Sequence, residues 1–212
     1  MIVKVCGMRD TDNIRQIDEL GCVDWMGFIS YPHSPRFVSE IPTYLPQHCK
    51  RVGAFVNEPI QDILERVKTF GFNIIQLHGN ETPDYCKQLR SCINKEVKII
   101  KMIPITIPSD LDETKRYEGI VDYFLFETRC SIYGGCGKQF DWNILEGYKG
   151  HIPFLLTGGI KPTDAEKVLS FHHPQFVGID LNSKFETAPA IKDPMLLRTF
   201  LSQINHSSHS IH

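Results

Sequence analysis

The chain alternates short apolar runs, most of them β-branched or aromatic, with amphipathic stretches. Apolar runs that predict strands occupy residues 2–5, 25–29, 52–56, 74–77, 98–103, 123–126, 154–156 and 176–179. Helical periodicity is clearest at residues 60–70, 83–89, 165–169 and 196–204. Residues 41–49 are interrupted by Pro42 and Pro46, so we expect a short or irregular helix there. Nearly continuous apolar strands are typical of a parallel sheet that is buried on both faces.

Strands that alternate with helices predict right-handed βαβ units. Eight such units in about 200 residues match a minimal (β/α)8 barrel. The alternative is an open, doubly wound sheet, but its G-x-G-x-x-G fingerprint is missing after the first strand, where CGMRDT stands. We therefore predict an α/β protein with one domain, a (β/α)8 TIM barrel over residues 1–205. Residues 206–212 form a polar tail that we expect to fray.

Charge and composition narrow the class of protein. The 212 residues are 42% hydrophobic and 23% charged, with 25 acidic against 23 basic side chains and a net charge of −2. This balance offers no electrostatic basis for binding nucleic acid or an anionic membrane. No apolar run approaches the roughly 20 residues that span a bilayer, and the N-terminal run is too short for a signal peptide. We expect a cytoplasmic protein.

The cysteine and histidine patterns predict no metal site. The seven cysteines include no C-x-x-C pair, so neither a zinc ribbon nor a thioredoxin-type site is indicated, and we expect reduced thiols. His172, His173 and the three histidines of the tail fit no common ligand spacing.

Reactive side chains and glycines follow the predicted strands, at the end where (β/α)8 barrels carry their active sites. Each has a structural alternative: Cys6 as a small buried apolar residue, Arg36 as a surface charge, His78 as a core histidine with its hydrogen bonds satisfied. Together they predict a site at this end of the barrel. The residues in question are Cys6, Arg36, Asn57, Gln76, His78, Glu127, the TGG of 157–159 and the GIDLNS of 178–183.

Two glycine-containing segments suggest contact with an anion. TGGI, followed by KPTDAEKV, and LNS after the last strand come where many barrels bind phosphate. YGGCGKQF at 133–140 resembles a nucleotide-binding P-loop only superficially, because that loop needs glycine at Ile132 and serine or threonine at Gln139. We expect it to be a flexible lid, with Lys138 available to an anion.

Taken together, these motifs resemble phosphoribosylanthranilate isomerase over almost the whole chain. The resemblance is carried by KVCGM, GFISYPHSPRFV, VGAFVN, IIQLHGNE, YGGCGKQFDW, LTGGI and GIDLNSKFE, in family order and spacing. It implies a (β/α)8 barrel that catalyses an Amadori rearrangement in tryptophan biosynthesis. In that reaction N-(5-phosphoribosyl)anthranilate becomes 1-(2-carboxyphenylamino)-1-deoxyribulose 5-phosphate. The implied partner is this small phosphorylated substrate, with no cofactor and no metal.

The resemblance also implies the catalytic pair. An acid must protonate the furanose oxygen so that the ring opens to an iminium, and a base must then remove the proton from C2. Cys6 matches the family's general base. Because a free thiol has a pKa near 8.5, we expect the cationic iminium and nearby backbone amides to depress it. Glu127 stands where the general acid is usually aspartate.

The implied substrate-binding residues fall into three groups. Arg36 matches the residue that holds the anthranilate, whose planar carboxylate suits a guanidinium fork. Asp180 matches a carboxylate close to the substrate amine. Gln76 and His78 line the opening of the barrel, without an assigned role. The phosphate-binding residues are Gly158, Gly159, Asn182 and Ser183.

The sequence departs from the family pattern in three places. Glu127 is longer than aspartate by one methylene, about 1.5 Å, and a misplacement of about 1 Å can cost roughly 100-fold in rate. Either the local backbone accommodates Glu127 or the enzyme is slower than its relatives. Cys136 and Lys184 replace a hydroxyl residue and a glycine, changes that we expect to be tolerated.

Other functions stay open at this point. Indole-glycerol-phosphate synthase and the histidine-pathway sugar isomerases are similar barrels, but they work with a Lys–Glu pair or paired aspartates, whereas Cys6 occupies the first strand end here. A non-catalytic phospholigand-binding barrel would keep TGGI and LNS. A thiol redox protein would need a resolving cysteine nearby. Monomer is the default oligomeric state, and the sequence leaves a homodimer open.

Overall fold

Eight parallel strands close into a barrel in the computed structural model, which describes residues 1–128 and 139–206 of the chain. Each strand pairs with the next along the chain, and the eighth pairs with the first, which confirms the predicted (β/α)8 fold. The strands are β1 Ile2–Cys6, β2 Trp25–Ile29, β3 Lys50–Phe55, β4 Ile74–Leu77, β5 Lys98–Ile105, β6 Tyr123–Thr128, β7 Phe154–Leu156 and β8 Phe176–Leu181.

The connections outside the barrel are less regular than the strands. Five α-helices are described: α1 Thr11–Asp18, α2 Ile60–Phe70, α3 Pro83–Cys92, α4 Ala165–Ser170 and α5 Pro194–His206. Three segments are 3-10 helices instead, Pro108–Tyr117 after β5, Trp142–Gly147 before β7 and Ser183–Phe185 after β8. The short strands β9 Glu186–Ala188 and β10 Ile191–Lys192 then form an antiparallel pair before α5.

Local sequence explains where several helices begin and end. Asp10 caps α1 by accepting a hydrogen bond from the backbone N–H of Asn13. Thr82 caps α3 in the same way, and Pro83 follows at the first helical position. Gly71, with a φ of +62°, ends α2 in the left-handed conformation that glycine adopts without steric cost.

Two segments differ from the prediction. Residues 41–49, all within the described part of the chain, form no helix. The buried Asp18 carboxylate holds this segment instead, by accepting hydrogen bonds from the Tyr44 hydroxyl at 2.7 Å and from the backbone N–H groups of Gln47 and His48. Helix α1 was not predicted, because Ile14 and Ile17 are its only apolar residues and two positions give no clear helical periodicity.

The barrel interior changes from apolar to polar along the strand direction. Side chains alternate in and out along each strand, and an inner apolar cluster fills the N-terminal part of the barrel. Polar inward residues follow two positions later on several strands, as in Ile74 and Gln76 of β4 or Leu125 and Glu127 of β6. The inner apolar cluster comprises Trp25, Val52, Ile74, Ile100, Leu125 and Leu155.

Some predictions fall outside the described residues. Most of the predicted lid at 133–140, including Lys138, lies there, as do Cys136 and residues 207–212 of the predicted tail. The five cysteines within the described ranges are free thiols. Among the described residues, no helix combines the length and hydropathy needed to cross a bilayer.

Candidate active site

A cavity of about 230 Å³ lies at the C-terminal ends of the strands. Asn57, one of the residues singled out in the sequence, does not line it. The ten residues that the family resemblance implied for the site all line it, although they come from six different strand ends and loops. These residues are Cys6, Arg36, Gln76, His78, Glu127, Gly158, Gly159, Asp180, Asn182 and Ser183. The structure therefore brings the candidate residues together, and the cavity is the candidate active site.

Cys6 is the last residue of β1 and is 4% exposed. Its neighbour on β2 is Gly27, and a Cβ at that position would lie 2.7 Å from the Cys6 sulfur. Such an approach is closer than real atoms tolerate, so any larger residue at 27 would displace the thiol. Because Gly27 has no side chain, this position of β2 leaves room for Cys6 on the inner face of the barrel.

The groups around Cys6 do not turn it into a thiolate in the ligand-free protein. Burial raises the pKa of the Cys6 thiol; nearby Lys4 and Lys192 lower it and Asp180 raises it, so the pKa stays above its ordinary value. In the ligand-free protein the pKa of Cys6 is therefore raised, and its lowering by a cationic iminium and backbone amides stays a prediction. A positive charge delivered by the substrate is the remaining source of such a shift.

The raised pKa predicts how the thiol reacts. Because a raised pKa keeps Cys6 protonated at neutral pH, we expect iodoacetamide to alkylate it much more slowly than the exposed Cys92. The rate at Cys6 should rise steeply only above the ordinary thiol pKa of about 8.5. Peptide mass spectrometry over a pH series measures both rates in one sample. A plateau in Cys6 alkylation already reached at pH 7 would contradict the raised pKa.

Lys4 and Asp180 form a buried ion pair directly below Cys6. The Lys4 Nζ donates to Asp180 Oδ2 at 2.8 Å, and the side chains are 0% and 5% exposed. Within the described residues, the other carboxylate oxygen of Asp180 has no hydrogen-bond partner. Asp180 also lines the cavity, so this oxygen is an available acceptor for an amine or hydroxyl of a ligand.

Glu127 belongs to a chain of three polar side chains. His78 Nε2 lies 3.1 Å from Glu127 Oε2, and the two side chains are 15% and 10% exposed. On the other side of the ring, Gln76 Nε2 lies 3.0 Å from His78 Nδ1. Since the amide nitrogen of Gln76 can only donate, Nδ1 accepts and Nε2 carries the proton. In this arrangement His78 Nε2 is the donor to Glu127 Oε2.

Arg36 lies in the loop after β2 and is held by an acid that the sequence did not suggest. Its Nε donates to Glu186 Oε1 at 2.8 Å and its Nη2 to Glu186 Oε2 at 2.7 Å. Glu186 in turn accepts from the buried Lys192. This geometry uses one edge of the guanidinium and leaves the edge formed by Nη1 and Nη2 for a ligand.

The loop after β7 provides backbone groups on another side of the cavity. Gly158 and Gly159 have φ values of +85° and +73°, a conformation that side chains rarely adopt, so both positions require glycine. Gln139 supports this loop by donating to the Gly159 carbonyl oxygen at 3.1 Å. Asn182 and Ser183 follow β8 and also line the cavity, as the phosphate-site prediction requires.

Four further residues of the site were missed in the sequence. Lys4 did carry a signal, because a lysine inside the apolar run IVKVC must be paired when the strand is buried. Thr157, whose hydroxyl donates to the Asp180 carbonyl oxygen, was quoted only as part of TGG. Glu186 was quoted only as the last residue of GIDLNSKFE, and Lys192 follows it in a segment without a recognisable pattern. Within the described residues, no group of three or more His, Cys, Asp or Glu could hold a metal ion.

A family model and a curated relative both match nearly the whole chain, and both point to the same protein family. Residues 3–203 match the family model of N-(5'-phosphoribosyl)anthranilate (PRA) isomerase. The N-(5'-phosphoribosyl)anthranilate isomerase of Phocaeicola vulgatus is 52% identical over 204 residues, which cover 96% of this chain and 98% of that protein.

Solved structures agree with the family match. A monomeric form of the dimeric phosphoribosylanthranilate isomerase of Thermotoga maritima superposes with a TM-score of 0.80 at 27% identity, over 97% of this chain and 100% of that one. Another phosphoribosyl anthranilate isomerase, in complex with reduced 1-(o-carboxyphenylamino)-1-deoxyribulose 5-phosphate, superposes with a TM-score of 0.78 at 26% identity. The superposition covers 97% of this chain and 100% of that chain.

Proposed function

This chain belongs to the N-(5'-phosphoribosyl)anthranilate isomerase family of tryptophan biosynthesis, and we propose that it isomerises its substrate with Cys6 as general base and Glu127 as general acid. One observation carries this assignment. A buried thiol at the end of β1 and a buried carboxylate at the end of β6 line the same cavity. They are separated around the barrel by β7 and β8 only.

The first step needs a proton on the furanose ring oxygen. In the proposal Glu127 gives this proton from Oε1, because Oε2 is occupied by the N–H of His78. When the proton leaves, the same hydrogen bond stabilises the carboxylate that forms. Gln76 contributes by fixing the tautomer of His78. The longer side chain of Glu127 is therefore held in place by His78 rather than left to move.

The second step removes the proton from C2 of the ribose. Ring opening creates an iminium cation, whose charge acts with the cationic Lys4 and Lys192 to lower the pKa of Cys6, so that the thiol releases its proton to solvent and becomes a thiolate. The thiolate then takes the C2 proton, and the resulting enolamine tautomerises to the ketone. On this account the base is generated by the first chemical step, so the empty enzyme keeps an unreactive thiol.

The remaining cavity residues orient the two ends of the substrate. The free edge of Arg36 suits the anthranilate carboxylate, and the open oxygen of Asp180 can accept from the substrate amine. Gly158, Gly159, Asn182 and Ser183 offer amides and a hydroxyl to the phosphate. The ligand in the related complex carries both a carboxyphenylamino group and a phosphate, which supports a site with these two ends.

Replacing Gln76 with leucine tests the tautomer argument. Without the Gln76 amide, no donor binds His78 Nδ1, and the ring proton is no longer held on Nε2. We expect kcat to fall about tenfold while KM changes little, because Gln76 acts on the acid rather than on substrate binding. Steady-state kinetics measure this, with Gln88→Leu on the exposed face of α3 as the matched control. Unchanged kcat in Gln76→Leu would remove Gln76 from the mechanism.

A fluorescence assay tests the proposed function as a whole. Purified native protein is mixed with freshly generated phosphoribosylanthranilate, and the loss of substrate fluorescence is followed. We expect decay far above the uncatalysed rate. Folded protein that binds reduced 1-(o-carboxyphenylamino)-1-deoxyribulose 5-phosphate but gives no catalysed decay would instead favour a non-catalytic phospholigand-binding barrel.

A further inference from the structure

Glu186 fixes which edge of Arg36 faces the cavity. The two bonds from Nε and Nη2 form a bidentate, charge-assisted pair, and the Glu186 side chain is only 5% exposed. A guanidinium held along its Nε–Nη2 edge cannot rotate, so its Nη1–Nη2 edge has one orientation. Within residues 1–128 and 139–206, no residue bonds to Nη1. The available edge is a two-donor fork, which matches a planar carboxylate.

Lys192 connects this pair to a second part of the site. Its side chain is fully buried, and its Nζ contacts Glu186 Oε1 at 2.5 Å and Asn182 Oδ1 at 3.0 Å. An asparagine whose oxygen accepts from lysine presents its NH2 group as the remaining donor. Asn182 lines the cavity on the side where we place the phosphate. One lysine therefore sets the orientation of groups at both ends of the proposed substrate.

The charges of the three side chains show why a lysine is needed. Arg36 and Glu186 alone form a neutral pair, which would attract a ligand carboxylate only weakly. Burial lowers the pKa of Lys192 and Glu186 opposes this shift; with Lys192 protonated, the group carries a net charge of +1. Burial alone would raise the pKa of Glu186, but Arg36 and Lys192 hold it below its ordinary value, so Glu186 is ionised at neutral pH.

The backbone around Lys192 is fixed as firmly as its side chain. The buried Asn13 of α1 donates to the Lys192 carbonyl oxygen at 2.8 Å and accepts from the Lys192 backbone N–H at 2.7 Å. These two hydrogen bonds connect β10 to α1, the helix that follows Cys6. Lys192 is thereby held from two sides, as a residue that positions others must be.

We propose that Glu186 and Lys192 are positioning residues that make the site selective for a ligand with a carboxylate at one end. Glu186 orients Arg36, and Lys192 supplies the net positive charge and orients Asn182. The proposal rests on the proposed function in one respect, namely that Arg36 receives the substrate carboxylate.

Calorimetric binding of two ligands tests this selectivity. The first is reduced 1-(o-carboxyphenylamino)-1-deoxyribulose 5-phosphate, and the second is the same molecule without the ring carboxylate. We expect the native protein to bind the first at least about tenfold more tightly. In Glu186→Ala this ratio should fall about tenfold, while the affinity for the ligand without the carboxylate stays within about twofold of native. Lys192→Met should lower the affinity for both ligands, because Asn182 also loses the hydrogen bond from Lys192.

The control and the second variant keep the result decisive. Glu113→Ala removes another glutamate that pairs with an arginine, Arg116, at the surface and outside the cavity, and should leave the ratio unchanged. If Glu186→Ala does not fold, Glu186→Gln keeps one acceptor and should give an intermediate ratio. In Glu186→Ala, a ratio that stays native-like, whether or not both affinities fall, would overturn the positioning role. Turnover by the native protein is measured separately, so a failure of the proposed function is distinguished from a failure of this inference.

Discussion

Replacement of Cys6 by alanine should lower kcat by roughly 10³- to 10⁴-fold. Alanine fills nearly the same space on the inner face of β1 but cannot accept the C2 proton. Asp180 is paired with Lys4 through one oxygen, and in the proposal its other oxygen accepts from the substrate amine, so it is not placed to remove the C2 proton instead. The measurement is the fluorescence decay of phosphoribosylanthranilate with native and variant protein.

Two controls separate loss of the base from loss of the site. Cys92→Ala removes an exposed thiol of α3 and should keep native turnover. The Cys6→Ala protein should still bind reduced 1-(o-carboxyphenylamino)-1-deoxyribulose 5-phosphate with an affinity close to native, because Arg36 and the phosphate-binding residues remain. Turnover within about tenfold of native in Cys6→Ala would mean that another group removes the C2 proton.

Replacement of Glu127 by glutamine should lower kcat by roughly 10²- to 10³-fold. Glutamine keeps the length and one acceptor for the N–H of His78, so the side chain can stay in place, but it has no acidic proton for the ring oxygen. Glu127→Asp tests the length separately. Aspartate would withdraw the carboxyl from His78 by about 1.5 Å, and we expect kcat to fall about tenfold or more. Single-turnover kinetics, which isolate the chemical steps, measure both effects.

The outcome for Glu127→Asp decides whether this site is built around glutamate. A lower rate means that His78 and the local backbone are adapted to the longer acid. A rate equal to or above native would show that the family's usual aspartate works as well here, and that contact with His78 is not needed. Glu146→Gln, an exposed substitution in the segment before β7, is the matched control and should change nothing.

Most of the fold was predictable because a parallel barrel leaves a strong local pattern. Three strands, among them β4 Ile74–Leu77, have the predicted boundaries, and the other five are longer or shifted by one to two residues at an end. Helix α2, Ile60–Phe70, also agrees. Helix α1 and the 3-10 helices were missed because their sequences are polar or contain proline, and residues 41–49 form no helix because side-chain contacts of Asp18 hold them instead. These contacts have no periodicity along the chain.

The candidate residues were predictable for a related reason. All strands of a parallel barrel end at the same face, so residues that follow them converge, however far apart they are in the chain. Position along a strand was enough to place Cys6, Glu127 and Asp180 in one cavity. Their proposed roles came from the resemblance to the family, whose membership the comparisons then established.

Only the tertiary structure decided how these residues influence one another. Arg36 and Glu186 are 150 positions apart, and no spacing rule connects them. Whether the pKa of Cys6 rises or falls depends on the balance between its burial and the nearby charges of Lys4, Asp180 and Lys192. Sequence order determines which residues reach the end of the barrel, whereas desolvation and charge pairing depend on distances that exist only after the strands have closed.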